Sequence, residues 1–333
     1  MKITHSQIAQ EVGVSRSLVS SALNGTGRVG QETRKKIERI AGKLGYRPNM
    51  LVRGIQTGQT MTIGVVMHTL GAFSGEMQSG IQDALEPHGY LPIILSESDK
   101  LAMTTQMVRL IDQRVDGIII KPRLPVCPKS FSKILGYDIP IVVIDDYIKG
   151  FSDLDFAGSD DIAIGKIAAE YFLQMGHKNL MVISVLEHLH YARRIEGFQR
   201  ATATVSGAQA RVIELENPDD VVKEACRVVA QKKGPTALFF VADVMAASFI
   251  NQALKHGILI PKDVSIIGVS NSKWGRYTTP PLTVIEQFPY NIGRNAVELL
   301  FQRINNKDAS KNPQYILERP ELVIRESVSH PTK

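Results

Sequence analysis

Residues 4–24 constrain the fold of this chain more than any other stretch, because they are patterned as two short helices separated by one tight turn. Thr4 can cap the first helix, and Gln7 completes a capping box with it. Gly13 ends that helix, and Ser15 is placed as the next N-cap. A helix, a glycine-containing turn and a second helix make the helix-turn-helix motif, whose second helix lies in the major groove of DNA. A small helical domain without a DNA function is the alternative.

Apolar residues recur at helical spacing through this region and predict three helices that share one core. The third helix is expected over residues 31–44, with Gly45 as its C-terminal stop. The residues expected to face the core are Ile8, Ala9, Val12, Leu18, Val19, Ala22, Leu23, Ile37, Ile40, Ala41 and Leu44.

Basic charge is concentrated in the same region. Residues 1–60 contain ten Lys or Arg and three Glu, a net charge of +7, whereas the whole chain of 333 residues has +6, so the rest sums to −1. A basic balance confined to one small helical module is typical of proteins that contact the phosphates of nucleic acids.

Residues 46–60 form a separate element that begins at Pro48 and ends at Gly58. Residues 49–55 have room for about two helical turns, and isolated helices shorter than about 12 residues are marginal in water. We therefore expect this segment to become helical only with DNA or a partner subunit. A plain flexible linker is the alternative.

From Met61 onward, short β-rich runs alternate with amphipathic helical stretches, which predicts parallel sheets covered by helices on both faces. The pattern repeats, because residues 117–120 hold in the first half the place that residues 237–240 hold in the second. We expect two similar α/β halves with a cleft between them. The expected strands are residues 62–67, 91–95, 117–120, 141–144, 180–184, 212–215, 237–241 and 265–269, and the expected helices are 75–88, 103–114, 162–175, 218–232 and 244–256.

Ligands of open α/β sheets bind beyond the carboxyl ends of the strands, so the residues that follow each strand are expected to line the cleft. These are residues 68–73, 121–123, 145–146, 185–194, 243 and 270–276, all predicted as loops. For each of them a solvated loop residue is the alternative.

Composition favours an intracellular protein. Cys127 and Cys226 are too few for a disulfide framework. Residues 1–12 do not have the pattern of a signal peptide. The most apolar run, residues 237–250, is interrupted by Asp243 and is shorter than the roughly 20 residues that span a bilayer. We expect a cytoplasmic location, which argues against a secreted sugar-binding protein.

No catalytic or metal-binding motif is recognised. His188 and His190 have no Cys or carboxylate at ligand spacing in the sequence, and the adjacent carboxylates Asp145 and Asp146 are expected to point apart. We therefore predict no enzyme activity, no cofactor and no metal. A sugar-binding protein or a carbohydrate-metabolising enzyme without a DNA function is the alternative.

Short motifs spread over almost the whole chain resemble the lactose/galactose repressor family of bacterial transcription regulators, in that family's order and spacing. They lie at residues 13–15, 19–20, 23–24, 32–34, 44–49, 62–66, 115–119, 194 with 197–198, 280–283 and 322–327. The resemblance implies a small all-α helix-turn-helix domain, a hinge helix and a periplasmic-binding-protein-like core of two parallel-sheet subdomains. It also implies a homodimeric repressor that binds a near-palindromic operator in double-stranded DNA and is controlled by a small carbohydrate-like effector.

The implied domains are the helix-turn-helix domain over 1–45, the hinge over 46–60 and the effector-binding and dimerisation core over 61–333. Within the core, the N-subdomain covers about 61–157 and 288–316, and the C-subdomain covers about 158–287 and 317–330. The DNA-binding residues implied by the resemblance are Thr4, Ser15, Arg16, Ser17, Ser20, Ser21, Asn24, Arg28, Tyr46, Asn49, Arg53 and Ile55. The implied effector-binding residues are His68, Phe73, Arg123, Asp145, Arg194, Asp243, Ser270, Trp274 and Gln287.

The effector site departs from the family pattern. Arg194 is kept, but residues 268–271 lack the family's acidic loop, while His68, Arg123, Lys273 and Arg276 fall on loops expected at the cleft. Because arginine forks bind carboxylates and phosphates well, this pattern predicts a sugar acid or sugar phosphate. Trp274 is expected either to stack on a ligand ring or to lie in the core.

Overall fold

The computed structural model describes residues 3–24, 27–46, 58–68, 71–96, 102–122, 128–186, 188–306 and 312–332. The chain divides into two compact units, Met1–Thr62 and Ile63–Lys333. The predicted hinge helix over residues 49–55 lies outside the described residues. Among the residues that are described, no helix is both long enough and apolar enough to cross a membrane.

The first unit contains three helices, α1 (His5–Val12), α2 (Arg16–Asn24) and α3 (Gln31–Lys43). The capping box of Thr4 and Gln7 is formed, and Gly13 ends α1 with a left-handed φ of 80°. The Ser15 hydroxyl accepts a hydrogen bond from the Leu18 N–H at 3.2 Å, as expected for the N-cap of α2.

The core of this unit consists of residues predicted from helical spacing, among which Ile8, Val19 and Ile37 are fully buried. Two of the predicted core residues do not behave as expected. Leu18 is only partly buried and does not belong to the core cluster. Leu44 is 36% exposed, because α3 ends at Lys43 and Leu44 follows the last turn.

The second unit contains two six-stranded sheets within the described residues, with the orders β11-β5-β4-β3-β1-β2 and β12-β10-β9-β8-β6-β7. The pairings with a described register are all parallel except that of β12 with β10, which is antiparallel. β3 and β8 each stand fourth in their order, as the predicted repeat requires. The strands are β1 (Thr62–Met67), β2 (Leu91–Ser96), β3 (Gly117–Ile120), β4 (Ile141–Ile144), β5 (Asp155–Ser159), β6 (Asn179–Val185), β7 (Gln209–Leu215), β8 (Ala237–Phe240), β9 (Ser265–Val269), β10 (Thr283–Glu286), β11 (Tyr315–Glu318) and β12 (Glu321–Val323).

Helices cover these sheets, and in each half two of them cross at very short range. The helices are α4 (Ala72–Leu85), α5 (Ala102–Asp112), α6 (Pro128–Ile134), α7 (Asp161–Gln174), α8 (Leu189–Thr202), α9 (Pro218–Val229), α10 (Asp243–Lys255), α11 (Lys273–Tyr277) and α12 (Pro289–Asn305). The pairs are α4 with α12 and α7 with α8. A Cβ atom added at Gly80 or Gly293 in the first pair, or at Gly165 or Gly197 in the second, would overlap a carbonyl oxygen of the facing helix. Only glycine permits these approaches.

The chain passes between the two sheets after β5, after β10 and after β11, since β6 to β10 and β12 form one sheet while β11 returns to the other. Four of the strands, β5, β10, β11 and β12, were not predicted. They are three to five residues long, and all of them lie next to these crossings. β3, β4 and β8 are equally short, but they contain no charged residue, whereas each of these four runs contains one and has too few alternations for a periodicity to be recognised.

The prediction of a loop over residues 185–194 is wrong from Leu189 onward, because α8 begins there and includes His190 and Arg194. Helices α6, α11 and α12 were also not predicted.

Candidate functional site

A cavity of about 410 Å³ lies at the carboxyl ends of strands from both sheets of the second unit. This volume is within the range of about 300–1,000 Å³ that is usual for small-molecule sites. Its lining includes residues that follow β1, β3, β4, β6, β8, β9 and β10, as the strand-end rule predicts. Larger depressions of about 1010 Å³ and 560 Å³ exist elsewhere on this unit, but their described lining includes no buried charged side chain.

Eight of the nine residues predicted to bind the effector line this one cavity. They are His68, Phe73, Asp145, Arg194, Asp243, Ser270, Trp274 and Gln287. The ninth, Arg123, lies outside the described residues. The neighbours that sequence reasoning did not single out are Ser74, Lys121, His188, His190, Tyr191 and Ser272. Lys121 lies in a predicted strand-end segment, but its role depends on a partner that only the folded chain supplies.

Lys121 and Asp145 form an ion pair at the ends of the neighbouring strands β3 and β4, with 2.8 Å between Nζ and Oδ2. The Lys121 ammonium also lies over the ring of Phe73, 4.7 Å from its centroid. Burial by itself raises the pKa of Asp145, but the charge and hydrogen bond of Lys121, together with the charges of His190 and Arg194, outweigh it and hold the pKa below its ordinary value. Asp145 has a left-handed φ of 67°, which is uncommon for a residue other than glycine. Asp145 therefore lies in a strained loop, and its charge and that of Lys121 largely cancel.

Arg194 is almost completely buried, although the resemblance implies that it contacts the ligand. Its Nε donates to Asp161 Oδ1 at 2.8 Å, and its Nη1 donates to the carbonyl oxygen of Val241 at 2.6 Å. The guanidinium also stands over Tyr191, 5.4 Å from the ring centroid. Asp161 begins α7 and is itself buried, so the charge of Arg194 is balanced behind the cavity wall.

Asp243, at the start of α10, supplies a carboxylate to the cavity. Its Oδ2 atom is buried and has no hydrogen-bond partner among the described residues. Burial raises the pKa of Asp243 above its ordinary value. A buried acceptor of this kind is stabilised by a donor, so Asp243 is suited to bind a hydroxyl or N–H group of a ligand.

The adjacent carboxylates Asp145 and Asp146 face different partners, as the sequence predicts. Asp146 Oδ2 lies 3.1 Å from Nδ1 of His188 and 2.9 Å from Nδ1 of His190. The sequence has no carboxylate at ligand spacing from these histidines, and the folded chain brings Asp146 to them. The carboxylate follows β4, and the histidines follow β6 in the other sheet, so no local spacing could reveal the group.

The structure does not support the charge argument for an anionic effector. Lys273 and Arg276 are exposed and do not belong to the cavity lining. Their charges instead act on Glu76, where they lower a pKa that burial and Glu286 raise. Arg194 and Lys121 are each paired with a carboxylate, so the described lining has no excess of positive charge from Lys and Arg.

Trp274 and Gln287 complete the cavity in different ways. Trp274 is 72% exposed, which excludes the alternative of a core position and leaves its ring available to a ligand. Gln287 is buried, and its Nε2 donates to Ser159 Oγ at 3.3 Å. Gln287 lies at the crossing after β10, and Ser159 ends β5 of the other sheet, so this hydrogen bond forms where the halves meet.

In the first unit, the predicted DNA-binding residues divide into exposed and structural groups. Ser15, Arg16 and Ser17 are exposed at the start of α2, and Arg28 is exposed after it. Ser20 and Asn24 are hydrogen-bonded to each other along the helix, and Ser21 is partly buried. Thr4 forms the capping box, and the Tyr46 hydroxyl is hydrogen-bonded to His5. The remaining three, Asn49, Arg53 and Ile55, lie outside the described residues.

Comparisons with known proteins cover both units of the chain. The model of the family described as bacterial regulatory proteins, lacI family, matches residues 5–49, and that of the periplasmic binding protein-like domain matches residues 169–328. The chain is 31% identical over 336 residues to the HTH-type transcriptional repressor PurR of Vibrio parahaemolyticus, covering 98% of each protein.

Solved structures share the fold over the same extent. The lac repressor dimer bound to operator and the anti-inducer ONPF superposes with a TM-score of 0.82 at 20% identity, covering 99% of this chain and 100% of that one. The complex of the transcriptional regulator CelR with cellobiose gives a TM-score of 0.71 at 22% identity, covering 98% and 100%. At these identities the likeness is one of fold alone.

Proposed function

Since this chain belongs to the lacI family of bacterial regulatory proteins, and is therefore a DNA-binding transcriptional regulator with a ligand-binding core, we propose that it represses transcription under the control of a small carbohydrate-like effector. The effector occupies the 410 Å³ cavity, which residues from both sheets line. If operator DNA and effector favour different arrangements of the two halves, each changes the affinity for the other by the same factor.

The observation that carries the effector proposal is the buried Oδ2 atom of Asp243, which lines the cavity without a hydrogen-bond partner among the described residues. An unpaired carboxylate oxygen attracts donors and repels anions. The exposed ring of Trp274 offers an apolar face to a sugar ring. These groups favour a neutral, polyhydroxylated ligand over the sugar acid or sugar phosphate that the sequence predicts.

A thermal-shift screen with neutral sugars, sugar acids, sugar phosphates and nucleobases tests this choice. We expect a neutral sugar to stabilise the protein, and Asp243→Asn to weaken its binding at least tenfold, because hydrogen bonds to charged groups contribute about 1.5–3 kcal/mol. Asp153→Asn is the matched control, since Asp153 is exposed and outside the cavity lining. If only anionic sugars stabilise the protein, the prediction of an anionic effector holds and the proposal of a neutral ligand is wrong.

We propose that Arg16 reads bases from the exposed start of α2, because an arginine fork binds guanine bidentately. Arg16→Ala should cost about 1–3 kcal/mol of operator binding and relax specificity at one base pair per half-site. Arg39→Ala is the control, since Arg39 is exposed on α3 and is not among the predicted DNA-binding residues. A binding-site selection experiment in which both variants keep the wild-type preference would refute the role of Arg16.

For the hinge, we propose that Ile55 enters the minor groove at the centre of the operator and kinks it. Ile55→Gly should then weaken binding to operator DNA far more than binding to unrelated DNA, which depends on phosphate contacts that the substitution leaves intact. An equal loss for both DNAs would contradict the wedge.

We also propose a homodimer, because a two-fold operator is matched by a two-fold protein. Light scattering at micromolar concentration should give the mass of two chains of 36.7 kDa. We propose the domain boundaries that the sequence predicts, at residues 45 and 60 and between the two subdomains of the core. The passage of the chain between the sheets after β5, β10 and β11 supports the division of the core. We further propose that the protein acts in the cytoplasm, where its DNA is, and has no enzymatic role, in keeping with the repressor that it resembles over its length.

A further inference from the structure

Asp146, His188 and His190 form a cluster that the proposed function does not use. One ligand atom from each of the three lies within 4.8 Å of the others. Asp146 follows β4 in one sheet, whereas the two histidines follow β6 in the other, so the cluster joins the two halves at the edge of the cavity. His188 and His190 both belong to the cavity lining.

One oxygen of Asp146 is hydrogen-bonded to the backbone, and the other faces the histidines. Oδ1 accepts from the backbone N–H groups of Tyr147 and His190, at 2.8 Å and 3.1 Å. Oδ2 faces Nδ1 of His188 at 3.1 Å and Nδ1 of His190 at 2.9 Å. The backbone therefore orients the carboxylate, with Oδ2 directed to the histidines.

His190 supplies a second, independent observation. Its residue is 7% exposed, and although Nδ1 is 2.9 Å from Oδ2, the approach lacks the alignment of a hydrogen bond. This buried nitrogen has no hydrogen-bond partner among the described residues. A polar atom in this position loses its hydration without replacement, and a bound cation would supply the missing partner.

The spacing and chemistry of the three atoms fit a transition metal. Zn²⁺ holds nitrogen and carboxylate ligands at about 2.0–2.2 Å, so ligand atoms around one ion lie about 3 Å apart. Two imidazoles and a carboxylate suit Zn²⁺ or Ni²⁺ better than Mg²⁺ or Ca²⁺, which prefer oxygen.

We propose that Asp146, His188 and His190 bind a divalent transition-metal ion, with Zn²⁺ as the first candidate. With three protein ligands, the ion keeps a coordination position for water. The two histidines border the cavity, so that position is open to a hydroxyl oxygen of a ligand in the cleft. Because the protein ligands come from both halves, the ion strengthens the arrangement in which Asp146 and the histidines are in contact.

Equilibrium dialysis of the full-length, tag-free protein against Zn²⁺ tests the site without DNA or effector. We expect one ion per chain, and Asp146→Asn and His188→Ala should each lower the affinity at least tenfold. His256→Ala is the matched control, since His256 is exposed and distant in sequence from the cluster. Co²⁺ provides a second reading, because a site with nitrogen and oxygen ligands and low coordination number gives a visible absorption band that both ligand variants should lose.

Circular dichroism without metal separates loss of ligand from loss of fold. His188 is partly exposed, so His188→Ala should keep the wild-type spectrum even if Asp146→Asn does not. Absence of stoichiometric Zn²⁺ binding by the wild type would overturn the proposal, as would equal binding by wild type and folded His188→Ala. In that case the cluster is an ion pair that joins the halves, and the proposed repressor function is unaffected.

Discussion

Two arginine–aspartate pairs, one in each half of the core, differ in how completely their hydrogen bonds are formed. Arg303 donates from Nε and Nη2 to the two oxygens of Asp155, each at 2.7 Å, and Asp155 Oδ1 also accepts from the Gln314 N–H. Arg194 donates one bond to Asp161, whose Oδ2 is buried without a partner in the described part of the chain. A saturated pair serves the fold, whereas an unsaturated buried group points to a site.

The difference between the two pairs arises from where each arginine lies along its helix. Arg194 and Arg303 each lie on the second helix of a glycine crossing, α8 or α12. Arg194 is three residues before Gly197, in the half of α8 that begins at the cleft. Arg303 is ten residues after Gly293, in the last turn of α12, where it fastens the start of β5 to the segment before β11. The same kind of helix crossing thus supports a binding site in one half and a hydrogen-bonded pair that stabilises the fold in the other.

The largest expected effect is on the free energy of unfolding when either arginine is replaced by methionine. Arg194→Met leaves Asp161 buried without a counter-charge, and losing one partner of a buried pair costs about 3–5 kcal/mol. Arg303→Met should cost less, because Asp155 keeps the Gln314 hydrogen bond and Arg303 is partly exposed. Urea unfolding at pH 7 measures both. The double variant Arg194→Met/Asp161→Asn should regain part of the loss, and equal losses for the two single variants would remove the contrast.

The second effect concerns pH. Burial raises the pKa of Asp161 to about 6, against the opposing charge of Arg194. A carboxyl group with a raised pKa in the folded state stabilises the fold fully below its ordinary pKa of 3.8, and this contribution is lost as the pH rises to about 6. At about 1.4 kcal/mol per pKa unit, the loss is up to about 3 kcal/mol. Asp161→Asn should remove this part of the pH profile of unfolding, whereas Asp155→Asn should retain it.

The smallest effect tests whether the two helix crossings are equivalent. Gly165→Ala and Gly80→Ala should each destabilise the core by about 1–3 kcal/mol, because the added Cβ overlaps a carbonyl oxygen of the facing helix. Only Gly165→Ala should also weaken effector binding, since the oxygen it meets belongs to Arg194. Gly75→Ala is the control on the same helix as Gly80, because its Cβ has open space, and it should stabilise slightly. Thermal unfolding with and without effector distinguishes these outcomes.

The first unit could be predicted almost entirely from sequence, because its structure depends on neighbours a few residues apart. Thr4 with Gln7, Gly13 and Ser15 act within one or two turns, and each takes the expected role. Leu44 departs from its prediction because a helix end is decided by the last hydrogen bonds rather than by spacing. In the second unit, the strand-end rule covers seven of the eight predicted residues that line the cavity, since it requires only that the strands be parallel. The eighth, Gln287, follows β10, which was not predicted.

The sequence by itself determined the two kinds of site, the exposed start of α2 and the carboxyl ends of the strands, because local periodicity encodes helices, strands and their ends. Only the tertiary structure decided which charges meet. Asp161 pairs with Arg194 across 33 residues, and Asp146 meets His188 across 42. Those contacts depend on sheet order and on glycine crossings that bring α7 against α8. For the same reason, a cleft that looks cationic along the chain has its lysine and arginine neutralised once it is folded.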